Sequence, residues 1–163
     1  MTELFLDDDL LRHEVFAEQC KTRGNEPFHA HTIDEFMGLT DGKHFDIVHL
    51  DHDLNDFSFI SKFTDMYGTG EQNGVDAARW LAVQLPEHRP SKVVIHSWNP
   101  SGAARMRAIL EEAGFNDIVV EEFDQVTYFE RLLKWKQEGR HHAFLQHVAP
   151  EEKLHLLGWK DVC

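Results

Sequence analysis

Short apolar runs that end in carboxylates or in histidine alternate along this chain with longer stretches whose apolar residues recur at helical spacing. Glu3 to Asp8 reads as a strand with LFL at its centre, and the segment to Lys21 carries Leu10, Leu11, Val15 and Phe16 at helical spacing. Pro27 to Thr32 reads as a second strand, followed by a helix from Ile33 to Leu39 with Thr32 as its cap and Glu35 three places on. Phe45 to Leu50, FDIVHL, is apolar on both faces apart from His49, as expected of a central parallel strand. Asn55 to Asn73 has no period and holds Gly68 and Gly70 before the Asn73-Gly74 turn signal, so it reads as a long loop over a site. Asp76 to Leu85 reads as a helix stopped by Pro86, Lys92 to Ser97 as a strand, and Pro100 onward as a helix that ends at Gly114. A strand at Ile118 to Val120 and a helix from Val126 to Glu138 complete the alternation.

Five strands alternating with helices predict an α/β fold with a doubly wound sheet of parallel strands in the flavodoxin-like order 2-1-3-4-5. The predicted domain spans residues 1–140. Residues 141–163 form a C-terminal extension, read as helical, whose Phe144, Leu154, Leu156, Leu157 and Trp159 predict packing on the domain or on a partner. In this strand order the first, third and fourth strands are adjacent, and ligands bind at their carboxyl ends beside the switch in order. Those ends carry Asp7 and Asp8, then Asp51 and Asp53, then His96 and Asn99.

Carboxylates gathered at a sheet edge repel one another unless a cation neutralises them. Magnesium or manganese suits one or two carboxylates plus phosphate oxygens, with zinc a further option, so Asp7, Asp8, Asp51 and Asp53 are the predicted metal ligands. A strand directs alternate side chains to one side, which brings Asp51 and Asp53 toward the same ion. Asp9 falls in the first helical turn, where capping accounts for it. His49 reads as a core histidine with hydrogen-bonded nitrogens, whereas His52 stands as a ligand, a proton donor or a loop residue. His96 closes its strand, and Ser97, Asn99 and Gly102 follow at a helix N-terminus that attracts anions, making these three the predicted substrate-binding residues.

Composition narrows the classes. The 163 residues, 42% of them hydrophobic, suffice for one core, and no apolar run approaches a membrane span. With 29 acidic against 16 basic residues and a formal net charge of −13, no basic face for duplex DNA is expected. Cys20 and Cys163 show no paired spacing, and MTELFLDDD lacks the pattern of an export signal, so a cytoplasmic protein is expected. Of the 12 histidines, most are expected on the surface or in the tail, and a homo-oligomer is compatible with the apolar tail.

The segments LFLDDDLLR, FDIVHLDHDL, NGVDAARWL and VVIHSWNPSGAARM together resemble the cyclic-phosphate processing receiver-like domains over roughly residues 3–115. The resemblance implies a receiver-like fold, Asp7 and Asp8 as metal-binding acids, and Asp51 at the position that accepts a phosphoryl group in signalling receivers. It also implies roles for His52, Asp53, His96 and Asn99 and an activity on cyclic phosphate ends or cyclic nucleotides. Receivers carry a lysine at the end of the fifth strand; DIVVEEFDQ offers Glu121, Glu122 and Asp124 there, which leaves a phosphorylated Asp51 without its usual counter-charge.

The expected function is a metal-dependent phosphoesterase, a hydrolase for a cyclic or terminal phosphate on a nucleotide or an RNA end. His96 would donate a proton to the leaving oxygen, with His52 in reserve, Asn99 would bond a phosphate oxygen, and Asp51 would act as ligand or as nucleophile. The alternative is a non-catalytic receiver-like module that binds a cyclic nucleotide or a partner protein. VHLDHDL also resembles the nucleophile motif of haloacid-dehalogenase-like phosphatases, but a complete strand and helix precede it here, where that motif begins the fold.

Overall fold

The computed structural model describes residues 1–51, 74–96 and 100–139; the predicted loop over 55–73 and the extension over 141–163 lie outside them. The described strands are β1 (Thr2–Leu6), β2 (Glu26–Ala30), β3 (Ile47–Asp51), β4 (Lys92–His96) and β5 (Ile118–Glu121). The helices are α1 (Leu10–Arg23), α2 (Ile33–Thr40), α3 (Gly74–Ala82), α4 (Pro100–Glu112) and α5 (Gln125–Gln137). The strands form one parallel sheet in the order β2-β1-β3-β4-β5, as the alternation of patterns predicts.

The element boundaries follow from local chemistry. β1 stops at Leu6 rather than running to Asp8, because the Asp7 side chain accepts from the Asp9 amide at 2.8 Å and turns the chain into α1. Asp9 caps that helix, its Oδ1 accepting from the amides of Leu11 and Arg12. At the other end Gly24 adopts φ +75°, which lets the last amides return to the Cys20 and Lys21 carbonyls. Thr32 caps α2 through the Glu35 amide, but the Glu35 carboxylate accepts from the His31 amide rather than from Thr32 itself. α3 ends at Ala82, three residues short of the predicted Leu85: Leu85 is extended before Pro86, and the Arg89 guanidinium takes the Ala82 and Gln84 carbonyls.

Register and pleat divide the core in two. Leu4, Leu6, Val48, Leu50, Val93 and Ile95 lie on one face and pack with Phe36 of α2, Leu81 of α3 and Met106 of α4. Phe5 lies on the other face with Val15, Phe16 and Cys20 of α1 and with Phe123. Leu11, Leu132 and Trp135 join α1 to α5, reinforced by Arg131 to Glu14 at 2.7 Å and Trp135 Nε1 to Glu14 at 2.6 Å. Among the described residues no helix is long and apolar enough to cross a membrane.

Candidate metal centre

Parallel register sets the carboxyl ends of β1, β3 and β4 side by side: Leu6 faces Leu50, and Asp51 faces His96. Asp7 and Asp8 follow β1 directly. The carboxylates of Asp7, Asp8 and Asp51 are all buried, and one oxygen from each lies within 4.8 Å of the others. Three hard oxygen donors gathered out of water fit a divalent cation.

A fourth carboxylate adjoins them. Asp9 Oδ1 is taken up by the helix cap, and Oδ2 accepts from the Tyr128 hydroxyl of α5 at 2.9 Å. Burial, with the nearby charge of Asp7, pushes the Asp9 carboxyl up to about 6, against the opposing pull of Arg12 and Tyr128. Tyr128 is in turn held protonated by burial and by the Asp9 charge.

Arg12, to which the sequence pattern assigned no role, brings a cation to this cluster. Its Nη1 lies 3.3 Å from Asp7 Oδ2 and 3.8 Å from Asp51 Oδ2, and its Nε lies 3.9 Å from Asp9 Oδ2. The guanidinium rests over the rings of Tyr128 and Phe123, 5.6 and 5.9 Å from their centroids. Although burial opposes its charge, the three surrounding aspartates hold it firmly protonated. The counter-charge expected to be missing near Asp51 therefore comes from α1 instead of β5. At the end of β5, Glu121 and Glu122 are exposed and Asp124 caps α5 through Thr127. The signal in the sequence was an arginine one helical turn after the capping Asp9.

His96 is buried beside Asp51, with Nε2 2.9 Å from His49 Nδ1 and the two rings within 6° of parallel. Its Nδ1 is buried with no hydrogen-bond partner among the described residues. Burial pushes the imidazole down to about 3, helped by His49 and by the Arg12 charge, so His96 is neutral at pH 7. His49 is the hydrogen-bonded core histidine that its apolar strand predicts. Gly102 is buried in the first turn of α4, while His52, Asp53, Ser97 and Asn99 lie outside the described residues.

His13 is buried as well as His49 and His96. His13 Nε2 donates to the Asp7 carbonyl at 2.6 Å, and its Nδ1 lies 2.7 Å from His29 Nδ1. This pins the β1–α1 turn that carries the acidic residues. Burial pushes His13 down to about 3, with the neighbouring His31 and His29 adding to the shift.

A family model for the cyclic-phosphate processing receiver domain matches residues 2–112 of this chain. Among solved structures, the CheY-like receiver domain of a Methylobacillus flagellatus response regulator is similar at 15% identity, covering 82% of this chain and 96% of its own, with a TM-score of 0.54. The Methanospirillum hungatei receiver domain protein gives 15% identity, 87% and 97% coverage and a TM-score of 0.53. A Pseudomonas aeruginosa sensor histidine kinase receiver domain, solved with magnesium coordinated in its active-site cleft, gives 15%, 82%, 95% and 0.51. At this identity the structures establish the fold. No curated protein matches the chain.

Proposed function

The chain belongs to the cyclic-phosphate processing receiver domain family, and from that premise we propose that it is a metal-dependent phosphoesterase for a cyclic or terminal phosphate on a nucleotide or an RNA end. The observation that carries the reading is the buried triad of Asp7, Asp8 and Asp51 at adjacent strand ends with Arg12 among them. Asp7, Asp9 and Asp51 surround the Arg12 guanidinium and Asp8 joins Asp7 and Asp51 within 4.8 Å, a gathering of acids whose mutual repulsion a divalent cation would offset. A cation held by Asp7, Asp8 and Asp51 would supply the positive charge that draws in a phosphate and polarises it.

The chain's own groups do the rest. Arg12 offers a fork of donors suited to phosphate oxygens, beside Asp7 and Asp51. Gly102, in the first turn of α4, would offer backbone amides and the positive end of the helix to an anion. Asn99 and Ser97 would complete the phosphate contacts, and Asp53 and His52 would join the acidic edge.

The test is Asp51→Asn, assayed for Mn²⁺ binding and for turnover of a panel of 2′,3′-cyclic phosphate ends, cyclic nucleotides and ADP-ribose derivatives. Mn²⁺ affinity and turnover are each expected to fall by about 100-fold or more. A variant that kept full metal affinity and full turnover would end this reading. Ligand recovered unchanged from the wild-type protein in the presence of Mn²⁺ would favour a binding module instead.

A further inference from the structure

Arg12 is fixed in the acidic centre by more than the acids. Its side chain is 22% exposed, and the guanidinium rests over the rings of Tyr128 and Phe123, 5.6 and 5.9 Å from their centroids. Phe123 is itself buried and stacked on Phe5, with 5.8 Å between ring centroids, and the Tyr128 hydroxyl donates to Asp9 Oδ2 at 2.9 Å. Ring faces and packing thus help to hold the cation, so its place does not depend on the carboxylates alone.

The charge so placed lies next to the oxygens that a metal would take. Nη1 is 3.3 Å from Asp7 Oδ2 and 3.8 Å from Asp51 Oδ2, and Asp7 and Asp51 are two of the three acids that could share one ion. Asp9 is otherwise engaged, its Oδ1 accepting from the Leu11 and Arg12 amides and its Oδ2 from Tyr128. A divalent cation that shares Asp7 and Asp51 with a guanidinium is repelled by it. At separations of a few ångströms in partly buried surroundings, that repulsion is worth about a factor of ten or more in affinity. An anion beside both cations reverses the sign, because it attracts each of them.

We propose that Arg12 sets the metal affinity of this site: a divalent cation is held weakly on its own and tightly once an anion joins it. The choice of phosphate as that anion rests on the phosphoesterase reading, whereas the weakening of the bare metal rests only on the acids and the guanidinium. Metal and anion then enter the site as a pair, and the centre stays largely empty of metal at cation concentrations that fill it when the anion is present. A guanidinium that merely braced the carboxylates would act the other way. Without it Asp7 and Asp51 would lose their arrangement and hold a metal less tightly.

The experiment measures Mn²⁺ binding to the full chain by electron paramagnetic resonance of the free ion, with and without inorganic phosphate, in wild type, Arg12→Gln and Arg12→Lys. Arg12→Gln removes the charge and keeps a hydrogen-bonding amide; without phosphate it is expected to bind Mn²⁺ about 10-fold or more tightly than wild type. Arg12→Lys keeps the charge and is expected to stay within about 3-fold of wild type. Phosphate is expected to tighten Mn²⁺ about 10-fold in wild type, and the enhancement in Arg12→Gln is expected to be at least about 3-fold smaller. Equal or weaker binding in folded Arg12→Gln, or tightening in Arg12→Lys as large as in Arg12→Gln, would overturn the proposal and leave the metal reading standing. Should circular dichroism show Arg12→Gln unfolded, wild type decides: a phosphate enhancement below about 3-fold overturns the proposal. No Mn²⁺ binding to any of the three proteins would end the proposal and the phosphoesterase reading together. The expected order of affinities without turnover of any panel substrate would uphold the role of Arg12 and sink the phosphoesterase reading alone.

Discussion

The two faces of one sheet are equally buried and obey different rules. Toward α2, α3 and α4 the strands present Leu4, Leu6, Val48, Leu50, Val93 and Ile95, whose only requirement is shape. Toward α1 and α5 the same strands present Glu3, Phe5, His49, Asp51 and His96, most of which need a named partner at hydrogen-bond distance. Because a strand alternates its side chains, each five-residue segment such as IVHLD serves both purposes at once. The first face holds the fold by packing alone, and the second holds it through paired charges and hydrogen bonds, where chemistry becomes possible, since a buried charge is costly to keep unless a partner or a ligand uses it.

The sharpest way to test that division is to remove the cation from the polar face. Arg12→Ala leaves Asp7, Asp9 and Asp51 without their shared guanidinium. With only 22% of its side chain exposed, the loss in metal-free protein is expected at about 3 to 4 kcal/mol by urea unfolding, in the range for breaking a buried ion pair. Added Mn²⁺ is expected to restore much of it, because the carboxylates regain a counter-charge and binding to the folded state adds stability. A loss under about 1 kcal/mol, insensitive to Mn²⁺, would mean that the acidic face does not depend on cations.

The matching change on the apolar face is Leu50→Ala, which empties space among fully buried neighbours. A loss of about 3 kcal/mol is expected, the same with and without Mn²⁺. If Mn²⁺ rescued Leu50→Ala as well as Arg12→Ala, the two faces would be one coupled unit and the division between them would fail.

The apolar face was legible in the sequence, because LFL, IVHL and VVIH carry their own period and the alternation with helices fixes the sheet order. The acidic residues Asp7, Asp8 and Asp51 were legible for the same reason: each stands where a recognisable strand ends. What stayed hidden depends on how α1 docks and on the lateral register. Arg12 reads as one more solvated helix residue until packing turns it onto Asp7 and Asp51. Glu3 reads as the polar start of a strand, and its link to His49, 46 positions away, exists only because β1 and β3 are neighbours. The turn at Asp7 shortened β1 because a side-chain hydrogen bond competes with the strand pattern, which periodicity does not register.

The smallest expected effect is also the one with the clearest sign. His13 and His96 are both held neutral in the folded protein, at about 3 against an ordinary 6.5, chiefly by burial. Below 6.5 the unfolded chain takes up these two protons and the folded chain does not, so stability falls as pH falls. From pH 6.5 to 5.5 the linkage amounts to about 1 kcal/mol for each ring, about 2 kcal/mol together. Asp9 acts in the opposite sense: at about 6 in the fold against 3.8 when unfolded, it takes up its proton in the folded state through the same window and returns about 0.7 kcal/mol. Glu3, held below its ordinary 4.5, contributes no slope until the pH approaches that value. The net expectation is a loss of about 1 kcal/mol over this one pH unit, read from urea unfolding midpoints. In Asp9→Asn the loss should grow toward about 2 kcal/mol, and His13→Gln should remove most of the wild-type loss. Leu50→Ala should keep the wild-type slope, since Leu50 packs in a core cluster of apolar side chains. A flat profile in all of these variants would mean that the buried imidazoles accept protons without cost, and the contrast between the faces would then be one of residue type and not of energetics.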